Sequence, residues 1–208
     1  MTIPRTATVA IAALTVLAFL VLGLLATSLP AALTMGFIPA RWSGGAAPWA
    51  AVPAFLTPLS STLVHGGFLH LAFNLLMLVW CGSAVERVLG RGALVLLYVV
   101  GAYTAAVAQW AVDPQSIIPV IGASGAISAV IGAFALSFSR AKQVTRSVRL
   151  NRLINAAWLL AAWVGMQILI GLMAGMQGAL LATPAHIGGF VAGLLMQRPR
   201  LLWRYRKA

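Results

Sequence analysis

The chain has 208 residues, a length that suits a single domain, and 62% of them are hydrophobic. With two acidic residues and a mean hydropathy of +0.99, it is far too apolar for a soluble enzyme or binding module. Despite its net charge of +12, the chain is not expected to bind nucleic acid, because aromatic residues do not alternate with the basic ones.

Long apolar runs without charges recur along the chain, and each is close to the roughly 20 residues that a helix needs to cross a bilayer. Six spans are predicted, at about residues 7–29, 68–85, 93–112, 119–138, 153–181 and 184–196. Between the first two, residues 30–63 are rich in proline, glycine and tryptophan, so they are expected to form an outward loop in the membrane interface. The predicted architecture is one all-α domain over residues 1–208, a polytopic bundle of six transmembrane helices.

The basic residues predict how this bundle is oriented. Every lysine and arginine except Arg41 falls before span one, between spans two and three, between spans four and five, or after span six. Basic loops face the cytoplasm, so both termini are predicted to be cytoplasmic, with anionic lipid headgroups as neighbours on that side. The composition, rich in Ala, Gly and Arg, favours the inner membrane of a bacterium.

Five polar side chains stand out in or beside the apolar spans: His65, His70, Asn74, Ser124 and His186. Polar groups are costly inside a bilayer, so they usually face the bundle interior and mark a functional site. At about 1.5 Å per residue, His70 and Ser124 lie about 24 Å from the charged inner ends of their spans, and Asn74 and His186 about 18 Å. His70 and Asn74, four residues apart, also share one helical face. A common depth in the outer half of the bilayer is what a single site requires.

Small residues in two of the spans favour close contact between the helices that carry the serine and the last histidine. Ser124 and Ser128 are one turn apart in span four, and Gly189 and Gly193 follow His186 in span six. Stripes of this kind let helix backbones approach each other closely. Such an approach is needed for the short serine side chain to reach an imidazole on another helix.

These residue types predict acyl-transfer chemistry. A serine hydroxyl becomes a nucleophile when a base takes its proton, and histidine is the commonest base. Ser124 is predicted to attack a carbonyl group, and His186 to accept the proton and return it to the leaving amine. His70, Asn74 and the Ser124 backbone N–H are candidate donors to the oxyanion. Because both acids lie at other depths, a Ser–His dyad without a carboxylate, metal or cofactor is expected.

Three motifs in the chain have a familiar order and spacing: His65-x4-His70-x3-Asn74, Gly122-Ala123-Ser124-Gly125 and Ala185-His186-x2-Gly189-x3-Gly193. Together they resemble the motifs of the rhomboid intramembrane serine proteases. The resemblance covers all six predicted spans. It implies hydrolysis of peptide bonds in or near the transmembrane segments of membrane-protein substrates.

The resemblance also implies a role for each motif residue. Ser124 would be the nucleophile and His186 the general base, while His70, Asn74 and the Ser124 backbone N–H would form the oxyanion hole. Supporting positions would be His65, Gly122, Gly125, Gly189 and Gly193.

The chain departs from the family pattern at two places. Many members carry an aromatic ring four residues after the serine, packed on the catalytic histidine, where this chain has Ser128. Members also often have a Trp-Arg pair nine residues before the first histidine. Leu56 and Thr57 occupy those positions here, while Arg41 and Trp42 lie upstream.

Three other functions are compatible with parts of the sequence. One is a catalytically inactive rhomboid-like protein that binds membrane proteins, although nucleophile, base and oxyanion donors are all present. A zinc enzyme could use the three histidines, but the chain lacks His-Glu-x-x-His and an acid at the right depth. A transporter would need a carboxylate within a span, and none is found.

Overall fold

The structure, a computed structural model, describes residues 6–25, 28–45, 51–138, 143–173 and 182–206. Within these ranges the fold is all-α, with a single isolated bridge between Phe37 and Val120 and no β-strand. The helices of these ranges are α1 (Ala7–Leu24), α2 (Ser28–Met35), α3 (Pro39–Trp42), α4 (Thr57–Ser60), α5 (Phe68–Leu89), α6 (Arg91–Val112), α7 (Ser124–Phe138), α8 (Val148–Met173) and α9 (Thr183–Arg204). Single 3₁₀ turns lie at Ala54–Leu56 and Ser61–Leu63, and α5 includes a π-helical turn at Leu78–Gly82.

The outer surface of the bundle is apolar. In the part of the chain that the structure describes, α1, α5 and α6 are long and apolar enough to cross a membrane, and α7 is a shorter apolar helix. Large apolar side chains such as Leu17, Leu24 and Trp80 are exposed on these helices. Continuous apolar exposure of this kind suits contact with lipid rather than water.

Helix α7 lies at the centre of the core. Its Ile127 and Val130 are fully buried and pack in one cluster with Leu94 and Leu97 of α6 and Phe190 of α9. This burial on all sides explains why α7 has no polar face. The first residue of α7 is therefore held between two neighbouring helices.

Glycines bring α7 and α9 into backbone contact. A Cβ atom at Gly132, Gly189 or Gly193 would collide with a backbone carbonyl oxygen of the facing helix. We call these three residues the glycine seam. Since no side chains separate the two backbones there, the distance between α7 and α9 is fixed by the peptide groups themselves.

The carboxylate of Glu86 attaches α1 to the C-terminal end of α5. It accepts hydrogen bonds from the backbone N–H groups of Ala7 and Thr8, at 2.8 and 2.9 Å, and from the Thr8 hydroxyl at 2.6 Å. Arg91 lies 3.7 Å away. The first N–H groups of a helix lack partners in their own helix, so a carboxylate from a neighbour satisfies them and complements the helix dipole.

The segment between α1 and α5, predicted as an interfacial loop over 30–63, contains the short helices α2, α3 and α4. The Arg41 guanidinium donates to the Val52 carbonyl at 2.7 Å, and the Trp42 indole donates to that of Ala54 at 2.9 Å. Trp42 also packs edge-on against Phe37, which pairs with the segment before α7. Arg41 and Trp42 thus bind the loop at Val52 and Ala54, just before Leu56 and Thr57, the positions at which the family resemblance implies a Trp-Arg pair.

The helix bounds differ from those of the predicted spans at several places. Helix α1 ends at Leu24, and α2 begins at Ser28, before the predicted end of span one. Residues 119–123, predicted to begin span four, precede α7 because Val120 pairs with Phe37 and Gly122 has a φ of +106°. Span five was predicted over 153–181, and residues 174–181 lie outside the described residues.

The charged ends of two helices extend beyond the apolar runs. Helix α8 starts at Val148 rather than 153, because the Ser147 hydroxyl accepts from the Leu150 N–H at its first turn. Helix α9 continues to Arg204 rather than 196, with Pro199 inside it. Hydropathy therefore predicts which part of a helix suits contact with lipid, but it does not predict the residue at which the backbone hydrogen bonds of the helix end.

Candidate active site

Ser124 is the first residue of α7, and the turn before it depends on glycine. Gly122 adopts a φ of +106°, a conformation that favours glycine, and its N–H donates to the Ser61 carbonyl at 2.9 Å. The first bond of the helix runs from the Ile127 N–H to the Ala123 carbonyl. Ser124 is buried, and its backbone N–H belongs to the helix end that attracts negative charge.

His186 lies in the first turn of α9, two residues after Pro184, which occupies the position where helices tolerate proline. The His186 Nε2 is 2.9 Å from the Ser124 Oγ, and both residues are buried. This is hydrogen-bonding distance between a potential nucleophile and a potential base. The two residues predicted as a dyad are therefore adjacent.

His70 of α5 faces the turn before the serine. Its Nδ1 accepts from the Gly66 N–H at 3.4 Å, which places the proton of the neutral ring on Nε2. A Cβ atom on Gly122 would lie 2.5 Å from that Nε2. His70 can thus approach the Gly122–Ser124 turn only because residue 122 has no side chain.

Asn74 and His65 are buried on either side of His70. The Asn74 amide donates to the His70 carbonyl at 2.9 Å, one turn away on α5. Its Oδ1 has no hydrogen-bond partner among the described residues. The ring of His65 meets that of His70 edge-on, with centroids 5.0 Å apart. Burial, and to a smaller extent the nearby His70, lowers the pKa of His65 to about 3, so this ring is neutral at physiological pH.

The predicted supporting glycines lie at helix contacts around the pair. A Cβ on Gly125 would lie 2.6 Å from that of Ala105 in α6. One on Gly189 would collide with the Gly125 carbonyl, and one on Gly193 with that of Ala129. These glycines allow α6, α7 and α9 to approach closely around Ser124.

A cavity of about 30 Å³ adjoins the pair. Ser124 and His186 line it together with Gln109 of α6. The Gln109 side chain is buried, and its Oε1 has no hydrogen-bond partner within the described ranges. Sequence reasoning missed Gln109, although it is a polar residue within an apolar span and could have been found by that criterion.

The contacts that Trp163 makes next to the pair were also not predicted from the sequence. The Trp163 indole of α8 donates to the Ser128 Oγ at 2.7 Å, and its ring faces that of His186. Tryptophan is common in membrane helices, so no signal in the sequence set Trp163 apart. In the described part of the chain, no group of three His, Cys, Asp or Glu side chains is placed to hold a metal ion.

The motifs around this site agree with a comparison to known families. The sequence model described as Rhomboid domain matches residues 53–202, which include α4 to α8 and most of α9. The chain belongs to the rhomboid family. Together with the apolar helices, this makes it an integral membrane protein.

Curated rhomboid relatives include proteins named as proteases. Rhomboid protease GluP of Bacillus subtilis is 33% identical over 139 residues, which are 66% of this chain and 24% of that protein. Rhomboid protease GlpG of Serratia proteamaculans is 34% identical over 141 residues, 66% of this chain and 45% of that protein. GlpG of Pectobacterium atrosepticum is 31% identical over 138 residues, with the same two shares. The chain thus spans less than half the length of these relatives.

Proposed function

We propose that this rhomboid is a serine endopeptidase that hydrolyses peptide bonds in or near the transmembrane segments of membrane proteins. The observation that carries the proposal is the 2.9 Å distance between Ser124 Oγ and His186 Nε2, inside a bundle with an apolar exterior. The rhomboid proteases among its relatives support the same reaction class.

In the first half of the proposed reaction, the Ser124 Oγ attacks the carbonyl carbon of the scissile bond while His186 Nε2 takes the hydroxyl proton. The carbonyl oxygen becomes an oxyanion. The C–N bond then breaks, and His186 gives its proton to the leaving amine. An ester on Ser124 remains, and the amine product departs with one proton more than it had as an amide.

The oxyanion in this mechanism is held by donors near the start of α7. The Ser124 backbone N–H belongs to that helix end, where the helix dipole favours negative charge. The His70 Nε2–H beside Gly122 and the second N–H of the Asn74 amide are the proposed side-chain donors. Asn74 already donates one amide N–H to the His70 carbonyl, and this hydrogen bond fixes the orientation of the amide.

The second half of the reaction needs a water molecule, and the cavity next to Ser124 and His186 has a suitable size. Its volume of about 30 Å³ exceeds the roughly 10–15 Å³ that one water needs. Gln109 supplies a buried acceptor at its wall. Water activated by His186 would attack the ester carbon and release Ser124 with its proton.

The membrane arrangement in this proposal is a single domain of six spans with both termini in the cytoplasm, in a bacterial inner membrane. Arg149 and Arg152 of α8 and Arg204 at the end of α9 are exposed. They would face the anionic headgroups of the cytoplasmic leaflet. The substrates would be membrane proteins, whose helices reach the site through the same bilayer.

Labelling with a serine-directed fluorescent phosphonate tests the function. The native protein in detergent is expected to be labelled and to cut a transmembrane substrate, while Ser124→Ala and His186→Ala lose both activities. Ser137→Ala, 13 residues further along the same helix, is the matched control; it removes the hydrogen bond from Gln197 but should keep labelling and cleavage. Labelling that survives Ser124→Ala would refute the assignment. Native protein that binds such substrates without cutting them would instead identify an inactive rhomboid-like binding protein.

A further inference from the structure

The two tryptophans of α8 differ in burial. The Trp163 side chain is 2% exposed, whereas Trp158, five residues earlier on α8, is 71% exposed. A buried indole usually gives its N–H to a specific acceptor. Here the acceptor is the Ser128 Oγ, 2.7 Å away.

Ser128 connects the Trp163 indole to Ser124, the first residue of α7. Its side chain is fully buried, and its Oγ donates to the Ser124 carbonyl oxygen at 2.7 Å. The Ser128 hydroxyl therefore donates its proton to the Ser124 carbonyl oxygen and accepts the Trp163 N–H with a lone pair. A chain of two hydrogen bonds links α8 to the residue that carries the candidate nucleophile.

The same indole ring lies against the candidate base. The ring centroids of Trp163 and His186 are 6.3 Å apart and their planes make an angle of 65°, an edge-on contact within the range of attractive aromatic pairs. Neither acid of the chain is available to orient the imidazole. Glu86 binds the start of α1, and Asp113 directly follows the outward end of α6.

We propose that Trp163 is a positioning residue for the dyad, an inference that rests on the proposed protease function. Its ring packs against the His186 imidazole, restricts rotation of that imidazole and keeps Nε2 directed at Ser124. The hydrogen bond from its N–H to the Ser128 Oγ fixes the position of the indole ring. The small side chain at 128 leaves the space that the indole occupies, so the aromatic contact to the histidine comes from α8 rather than from α7.

The test compares two apolar replacements that differ in having a ring. Trp163→Phe and Trp163→Leu both lose the indole N–H, but phenylalanine alone retains a ring that can face His186. Trp158→Leu, which removes the outward tryptophan of the same helix, is the matched control. For each folded variant in liposomes, kcat and KM for a transmembrane substrate and the rate of phosphonate labelling are measured.

We expect Trp163→Leu to lower kcat and the labelling rate about 10- to 100-fold with little change in KM, because small misplacements of catalytic groups have effects of this size. Trp163→Phe should stay at least about 5-fold more active than Trp163→Leu, because only phenylalanine keeps an aromatic ring packed against the imidazole. Equal kcat values for Phe and Leu, or a loss confined to KM, would overturn the role of the ring. Absence of Ser124-dependent labelling in the native chain would refute the proposed function instead.

Discussion

At the residue scale, the pair of Ser124 and His186 illustrates what a sequence can predict about a membrane site. The two are 62 residues apart in the chain, yet the counting of helical rise from the charged helix ends placed them at a similar depth. This depth estimate rests on the cost of polar groups in lipid and on the charges that mark the helix ends. The direction in which each side chain points depends on packing, which depth does not determine.

Trp163 and Ser128 are the residues for which sequence reasoning fell short. The sequence shows Ser128 where the family pattern has an aromatic residue, but it does not show which side chain packs on His186 instead. The indole that lies there comes from α8. Contacts between helices distant in sequence depend on how α7, α8 and α9 pack, and a single sequence gives no period or motif for them.

Glu86 carries a prediction for stability. Glu86→Gln replaces one acceptor oxygen by an NH₂ group opposite the donors of Ala7 and Thr8, so at least one of these buried or partly buried donors loses its partner. Such a loss costs about 1–3 kcal/mol. The temperature of thermal unfolding in detergent should fall for Glu86→Gln. It should stay constant for Asp113→Asn, which removes the same charge at an exposed site. Equal stability of both variants would show that the carboxylate does not attach α1.

At the element scale, the glycines divide into those that contact a backbone and those that do not. A Cβ on Gly193 would collide with the Ala129 carbonyl oxygen, whereas one on Gly165, in the exposed face of α8, would meet no atom within 4 Å. Both residues lie inside helices, where alanine is intrinsically favoured over glycine. The sequence predicted close approach at Gly189 and Gly193, but it did not show that Gly165 is free of such contacts.

These two glycines make a matched pair of substitutions. Gly165→Ala should stabilise the protein by about 0.5–1 kcal/mol and leave cleavage unchanged. Gly193→Ala should destabilise it by about 1–3 kcal/mol, because the added methyl group has no room. It should also lower kcat, since α9 carries His186 and must move away from Ser124. Thermal unfolding and substrate cleavage measure both effects. Full activity of Gly193→Ala would contradict the close contact of α7 and α9.

At the scale of the whole molecule, the proposed orientation places the two ends of α7 on opposite sides of the bilayer. Its 15 residues are about 22 Å long, most of the hydrocarbon core of about 30 Å, so in this orientation the segments beyond its ends would emerge on different faces. The positive-inside pattern assigns the end with Gln143 to the cytoplasm and the end with Gln115 to the outside. Both glutamines are exposed.

A cysteine at either glutamine tests this orientation. In a chain with Cys81→Ala, Gln115→Cys should react with a membrane-impermeant maleimide in intact bacterial spheroplasts. Gln143→Cys should react only after the membrane is permeabilised. Reaction of both from the same side, or the reverse order, would rule out the proposed topology. Cys81 is the single cysteine of the sequence, so its replacement by alanine leaves the introduced cysteine as the only thiol in the chain.

The glycine seam has a consequence for how this protein can diverge. Because peptide groups set the separation of the two central helices, substitutions among lipid-facing side chains such as Leu17 and Trp80 leave the geometry of the reacting pair unchanged. The outer surface is therefore free to adapt to bilayers of different thickness and lipid content, while the distance between Ser124 and His186 stays constant. Tolerance to mutation should accordingly be high at the periphery of the fold and minimal along its axis.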